Sequence, residues 1–154
     1  MPRKVPATPE FRELSQAESE ALLERNYVGR LAFSFHDAVD LRPLHYVFAD
    51  GWIFGRTSPS DKLVTLRHNQ WVAFEVDEIS GPFDWESVVV RGTFYRVEHE
   101  GSVHDLRLYE RALTSVRKLV PETLTDDDPT AFRTALFGIH IESMTGRSSS
   151  THKT

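Results

Sequence analysis

The densest set of anion-holding groups in this chain lies in the seven residues from Arg56 to Lys62. Two cations, Arg56 and Lys62, flank three hydroxyls, Thr57, Ser58 and Ser60. Ser60 stands where the N-cap of a following short helix, 61–68, belongs. A helix start exposes unpaired N–H groups and the positive end of the dipole. A phosphate, with several acceptor oxygens, suits such a set through charge-assisted hydrogen bonds. The plainer reading is a serine cap between two solvated basic residues. No GxGxxG and no P-loop accompanies it.

Three other stretches carry groups with chemical use. In Leu41-Arg42-Pro43-Leu44-His45-Tyr46 the proline lacks an N–H, so the strand ladder breaks there. The backbone beside it is then free to meet the polar edge of a flat heterocycle, or is simply a distorted edge strand. Trp85 could wall an aromatic ligand and Ser87 could hydrogen-bond it, although tryptophan as readily fills a core or an interface. Asp126-Asp127-Asp128 lacks the alternation of a calcium loop, and Asp128 before Pro129 reads as a helix cap. No two of the seven histidines form HxxxH or HExxH, so no spacing supports a metal site. No GxSxG elbow is present.

The elements that must position these groups follow from periodicity. Residues 1–14 read as an arm with three prolines. Ser15 and Glu18 form a capping box opening a helix to about residue 26. Strands are predicted over 28–35, 39–48, 52–56, 71–77, 86–97 and 134–142, the second broken at Pro43. Gly92 marks a bulge or a close backbone approach in the fifth. Leu106, Tyr109, Leu113, Val116 and Val120 make the apolar stripe of a helix over 103–120. A short helical turn covers about 129–133, and residues 147–154 read as a solvated, flexible tail. Consecutive strands joined by short turns pair antiparallel. Six of them with marginal helices predict a mainly β (α+β) domain over 15–146, a small closed or half-open barrel.

Composition narrows the function. The 154 residues contain no cysteine, which excludes disulfides, thiolate metal sites and a cysteine nucleophile. Eighteen Lys and Arg against 23 Asp and Glu give a net charge of −5, which argues against a nucleic-acid partner. No apolar run reaches the ~18 residues of a membrane span, so a cytoplasmic protein without membrane partner is expected. Ten Phe, four Tyr and three Trp call for a wide core, an interface or a flat ligand.

The ordered set Val28-Gly29-Arg30-Leu31-Ala32-Phe33, Arg42-Pro43-Leu44-His45-Tyr46-Val47, Trp52-Ile53-Phe54-Gly55-Arg56, Lys62-Leu63, 67–77 (RHNQWVAFEVD) and 85–92 (WESVVVRG) resembles the FMN-binding split-barrel superfamily. That superfamily holds pyridoxamine 5′-phosphate oxidases and the related nitroimidazole-resistance (Nim-like) flavoproteins. The resemblance covers about residues 28–97, and Gly146-Arg147 resembles the family's final strand. It implies a six-stranded antiparallel split β-barrel and a homodimer with two flavin sites, each at the subunit interface. Arg42, Pro43, Leu44 and His45 would then meet the flavin ring and its chain. Arg56, Thr57, Ser60 and Lys62 would hold the phosphate. Ser87 would touch the cofactor from a neighbouring strand, and Trp85 would lie near the ring.

The resemblance departs from true pyridoxamine-phosphate oxidases. Asp61 replaces a basic residue, and an arginine–histidine tail is missing. The Nim-like branch is closer. The expectation is an FMN-dependent oxidoreductase, a reductase of a small organic molecule, nitro-bearing ones included, with His45 as the proton donor near the ring. The alternatives are deazaflavin F420 or haem in place of FMN, or a flavin-binding protein without catalysis.

Overall fold

Two-residue turns set the strand pairing. His36 and Asp37 have φ of 49° and 63°, and Asp50 and Gly51 have 44° and 80°. Such consecutive left-handed pairs twist in the sense that hairpin strands require. In the computed structural model, which describes residues 7–66 and 70–151, they join β2 (Val28–Phe35) to β3 (Ala38–His45) and β4 (Val47–Ala49) to β5 (Trp52–Thr57). β1 (Glu10–Leu14) and α1 (Gln16–Arg25) precede them; β6 (Gln70–Gly81), β7 (Asp84–Val97), α2 (Val103–Leu119) and β8 (Ala135–Ser150) follow. The capping box is formed: Glu18 N donates to Ser15 Oγ at 3.1 Å, and Ser15 N donates to Glu18 Oε1 at 3.0 Å. No helix among the described residues is long and apolar enough to cross a membrane.

The strands form one antiparallel sheet in the order β3-β2-β6-β7-β8-β5-β4, with β1 added to β8. The two end strands, β3 and β4, are separated in the chain by Tyr46 alone. The sheet therefore curls until its ends meet covalently, yet no ladder joins β3 to β4 among the described residues. That is a split barrel. Tyr46 holds the seam: its N–H donates to Tyr27 O at 3.0 Å and its buried hydroxyl to Leu23 O at 2.7 Å.

Alternate residues of each strand fill the barrel. Leu31, Phe33, Ile53, Val72, Phe74, Val88, Val90, Phe94, Phe137 and Ile139 pack with Leu22 and Leu23 of α1, which plugs one side. A second cluster lies outside the barrel wall, where Ala112 and Val116 of α2 cover Phe54, Val97 and Leu136. The expected bulge is present: Arg91 pairs with Ser143 and Gly92 with Ile141, leaving Glu142 as the extra residue. A Cβ on Gly92 would stand 2.1 Å from His140 O.

Four expectations change. Among the described residues there are eight strands, not six, because the second predicted strand divides at Tyr46 and because residues 10–14 of the expected arm form β1. The tail is not flexible over 147–150, although Arg147 is exposed. These residues end β8 between β1 and β7, with Ser148 and Ser149 buried. The helix over 61–68 is a single 3-10 turn, Lys62–Thr65, capped by Asp61 rather than Ser60. Residues 129–133 form hydrogen-bonded turns instead of a helix. The parts of these expectations at 1–6, 67–69 (Arg67, His68 and Asn69 of the resemblance) and 152–154 lie outside the described residues.

Candidate functional site

Alternation along two strands decides which predicted residues meet. On β3, Arg42 pairs in register with buried Leu31, so Arg42 and Leu44 turn inward and Pro43 and His45 turn outward. Arg42 lays its guanidinium over the buried Phe33 ring, 5.6 Å from the centroid. Leu44 packs on the barrel core. His45 is exposed beside Tyr27, ring centroids 6.1 Å apart. β3 is an edge strand, as Pro43 requires.

On β5, Ile53, Gly55 and Thr57 face the barrel, whereas Phe54 and Arg56 face α2. Thr57 ends the strand buried, and the loop beyond it carries Ser58 and Ser60, with hydroxyl oxygens 3.2 Å apart. Asp61 then accepts two hydrogen bonds on Oδ1, from Leu63 N at 3.0 Å and from Arg42 Nη1. This bond draws Arg42 to the loop. Lys62 is exposed and has no ion-pair partner among the described residues. One end of the barrel thus collects Arg42, Thr57, Ser58, Ser60 and Lys62, with one carboxylate among them. Gly55 lets strands close in beneath: a Cβ there would meet the Phe137 ring at 2.5 Å and His45 O at 3.0 Å.

Arg56 does not join this cluster. Its side chain, 7% exposed, points to the opposite face and is fully engaged. Nη1 and Nη2 donate to Asp128 at 2.5 and 2.9 Å, and Nη2 also donates to Thr130 Oγ1 at 2.7 Å. Asp128 in turn accepts from Leu124 N and Thr130 N at 2.8 and 3.0 Å. The Arg56 hydrogen bond, aided by these N–H groups, holds the Asp128 carboxyl well below its usual range. Arg56 anchors the loop after α2, and its guanidinium is turned away from the loop hydroxyls expected to share a phosphate with it. The alternation that puts it beside Phe54 was readable in Trp52-Ile53-Phe54-Gly55-Arg56-Thr57; its partner, 72 residues on, was not.

Trp85 and Ser87 lie on the outer face of β7, apart from the loop. Trp85 stands 6.4 Å from the Phe11 ring. Ser87 Oγ donates to Glu75 Oε2 at 3.0 Å. Arg30 donates to Glu75 Oε1 at 2.8 and 2.6 Å and lies 3.1 Å from Asp77. Burial, reinforced by Asp77, pushes the Glu75 carboxyl up against the opposing pull of Arg30 and Ser87. This polar group sits within a sheet face that no helix covers. Around it Val39, Leu41, Trp71 and Ile79 are 81, 63, 59 and 70% exposed, far more apolar surface than a lone strand face leaves to water.

Among the described residues the donors at the barrel end suit a phosphate: an exposed cation without an ion-pair partner, three hydroxyls and a second cation held by a carboxylate that an anion could replace. The outer edge of β3 has no strand partner among the described residues and offers backbone groups to a ring.

The profile of a family described as pyridoxamine 5′-phosphate oxidase matches residues 15–148. A FAD-binding protein from Mesorhizobium loti is 25% identical, with a TM-score of 0.67 over 93% of this chain and 99% of that one. A FAD-binding protein from Mycobacterium smegmatis is also 25% identical, with a TM-score of 0.63 over 89% and 99%. A candidate 5-nitroimidazole antibiotic resistance protein from Bacteroides thetaiotaomicron, 12% identical, shares the fold with a TM-score of 0.64 over 91% and 88%.

Proposed function

The chain belongs to the pyridoxamine 5′-phosphate oxidase-like family, and from that premise we propose that it is a flavin-dependent oxidoreductase acting on a small organic molecule, nitro compounds included. The observation that carries this reading is the gathering of Arg42, Thr57, Ser58, Ser60 and Lys62 at one barrel end beside an unpaired strand edge. Thr57, Ser60 and Lys62 hold the flavin phosphate, with Arg42 once Asp61 yields it. Pro43, Leu44 and His45 offer backbone to the ring. A bound flavin supplies hydride transfer. His45, exposed next to Tyr27, supplies or takes the proton.

FMN is the expectation from the sequence, while two relatives at 25% identity are FAD-binding. Both cofactors share the FMN half, so the same cradle serves either. The uncovered face with Val39, Leu41 and Trp71 is the surface on which a second copy sits. Trp85 and Ser87 lie on that face, so dimerisation would carry them toward the cofactor of the other protomer.

The test is a visible spectrum of the purified protein with titrations of the apoprotein by FMN, FAD, F420 and haem. Uptake of FMN or FAD with a flavin spectrum is the expected result. A protein that takes up haem or F420 and neither flavin overturns the cofactor, and one that takes up none overturns the reading. Sedimentation should give a dimer that Trp71→Asp weakens; a monomer that still binds flavin contradicts the interface.

A further inference from the structure

A cavity of about 220 Å³ lies between β4–β5 and the end of α2. Phe54 and Gly55 form its floor, Val116 and Leu119 its wall, and Pro129 and Thr130 its lid. A cavity of about 150 Å³ lined by apolar side chains is enough for benzene, so this one has room for one or two fused rings. Its lining is mostly apolar, and its buried guanidinium, that of Arg56, is already paired. The Arg56 guanidinium, which borders the cavity, is matched by Asp128 and Thr130. Arg133 at the rim lays its guanidinium over the Phe132 ring, 5.4 Å from the centroid. An anionic ligand that paired with Arg56 would have to displace Asp128 from a buried pair, at a cost that its own charge must offset. An uncharged ring displaces only water from apolar walls.

We propose that this cavity is a binding site for a small uncharged ring compound, and that the Arg56–Asp128 pair keeps its lid in place. Arg56 borders it one residue before β5 runs out into the candidate phosphate loop, and His45, at the end of β3, borders it as well. Its occupant therefore lies next to the proposed flavin position. That adjacency rests on the flavin reading; the ligand class rests on the cavity alone.

The experiment uses the full chain with indole as an uncharged probe and benzoate as an anionic one of similar size. Indole should shift the amides of residues 54–56, 116–120 and 130 in a heteronuclear NMR titration. Leu119→Trp, which fills the cavity from a half-buried position, should weaken indole binding at least tenfold while FMN or FAD uptake is retained. Benzoate should bind at least tenfold more weakly than indole. Absence of those amide shifts overturns the proposal, as does equal indole affinity in a folded Leu119→Trp protein. Benzoate binding as tightly as indole overturns the ligand class. The wild-type amide shifts decide the matter if the variant does not fold. Failure to take up any flavin would leave the indole result standing, so the two readings fail separately.

Discussion

Arg42 on the edge strand β3 donates a hydrogen bond to Asp61, the residue that caps the turn after β5. The contact fastens the strand to the hydroxyl-rich loop, and it also sets a carboxylate against the guanidinium that an incoming phosphate would use. Asp61→Asn keeps the cap, because asparagine caps as well as aspartate, and removes the competing charge. Affinity for FMN should rise several-fold in a fluorescence-quenching titration, while affinity for riboflavin, which has no phosphate, stays unchanged. Equal FMN affinity in both proteins would show that Asp61 does not compete.

Arg56 and Lys62 should separate cleanly. Lys62→Ala removes an exposed cation from the proposed phosphate cradle, and FMN affinity should fall about tenfold with the melting temperature unmoved. Arg56→Ala leaves Asp128 buried without its partner, and the melting temperature should fall by about 6 °C or more. Loss of FMN affinity in a fully stable Arg56→Ala protein would return Arg56 to the phosphate site.

Asp128 gives a pH dependence of defined sign. Its folded-state value is depressed, chiefly by the hydrogen bond from Arg56. The stability it contributes is therefore complete above the ordinary aspartate value of about 3.9 and is lost as pH falls through the lower folded-state value. Asp128→Asn should melt lower than wild type at pH 7, and the gap should close below about pH 4. A gap constant from pH 7 to pH 3 would mean that the carboxylate charge is not what stabilises the loop.

Gly92→Ala tests the bulge. The new methyl would stand 2.1 Å from His140 O, and the obstruction is backbone, which no rotamer change relieves. Destabilisation of about 1–3 kcal/mol or more is expected in urea unfolding. Gly51→Ala, which meets nothing within 4 Å but keeps a φ of 80°, serves as the comparison for conformational strain without a clash.

The sequence exposed what local pattern controls. β2 runs over Val28–Phe35 as its alternation predicts, Ser15 and Glu18 cap α1, and Gly92 marks a bulge. It hid what depends on distant partners. β1 carries one buried residue, Leu14, in Glu10–Leu14, too little alternation to declare a strand, and its partner is the other end of the chain. Arg147-Ser148-Ser149-Ser150 reads as solvated, yet Ser149 Oγ donates to Phe83 O at 2.7 Å and its neighbour Ser148 is buried. The serines there satisfy backbone across a turn 66 residues away, which composition cannot reveal. At the candidate site, Thr57, Ser60 and Lys62 fall together because they are close in sequence. Arg42 arrives through Asp61, and Arg56 departs through the parity of its strand.

β8 pairs with β5, β7 and β1, and that fact orders events during synthesis. The hairpins β2–β3, β4–β5 and β6–β7 can each zip as soon as their own residues are made, since their loops are short. β1, first to be made, stays without its partner until Gly146–Ser150 exist. The edges of β5 and β7 that face β8 wait as well. A ribosome-bound chain that has not yet reached Ala135, where β8 begins, therefore presents three open strand edges at once, the condition under which nascent β-proteins need a chaperone's cover.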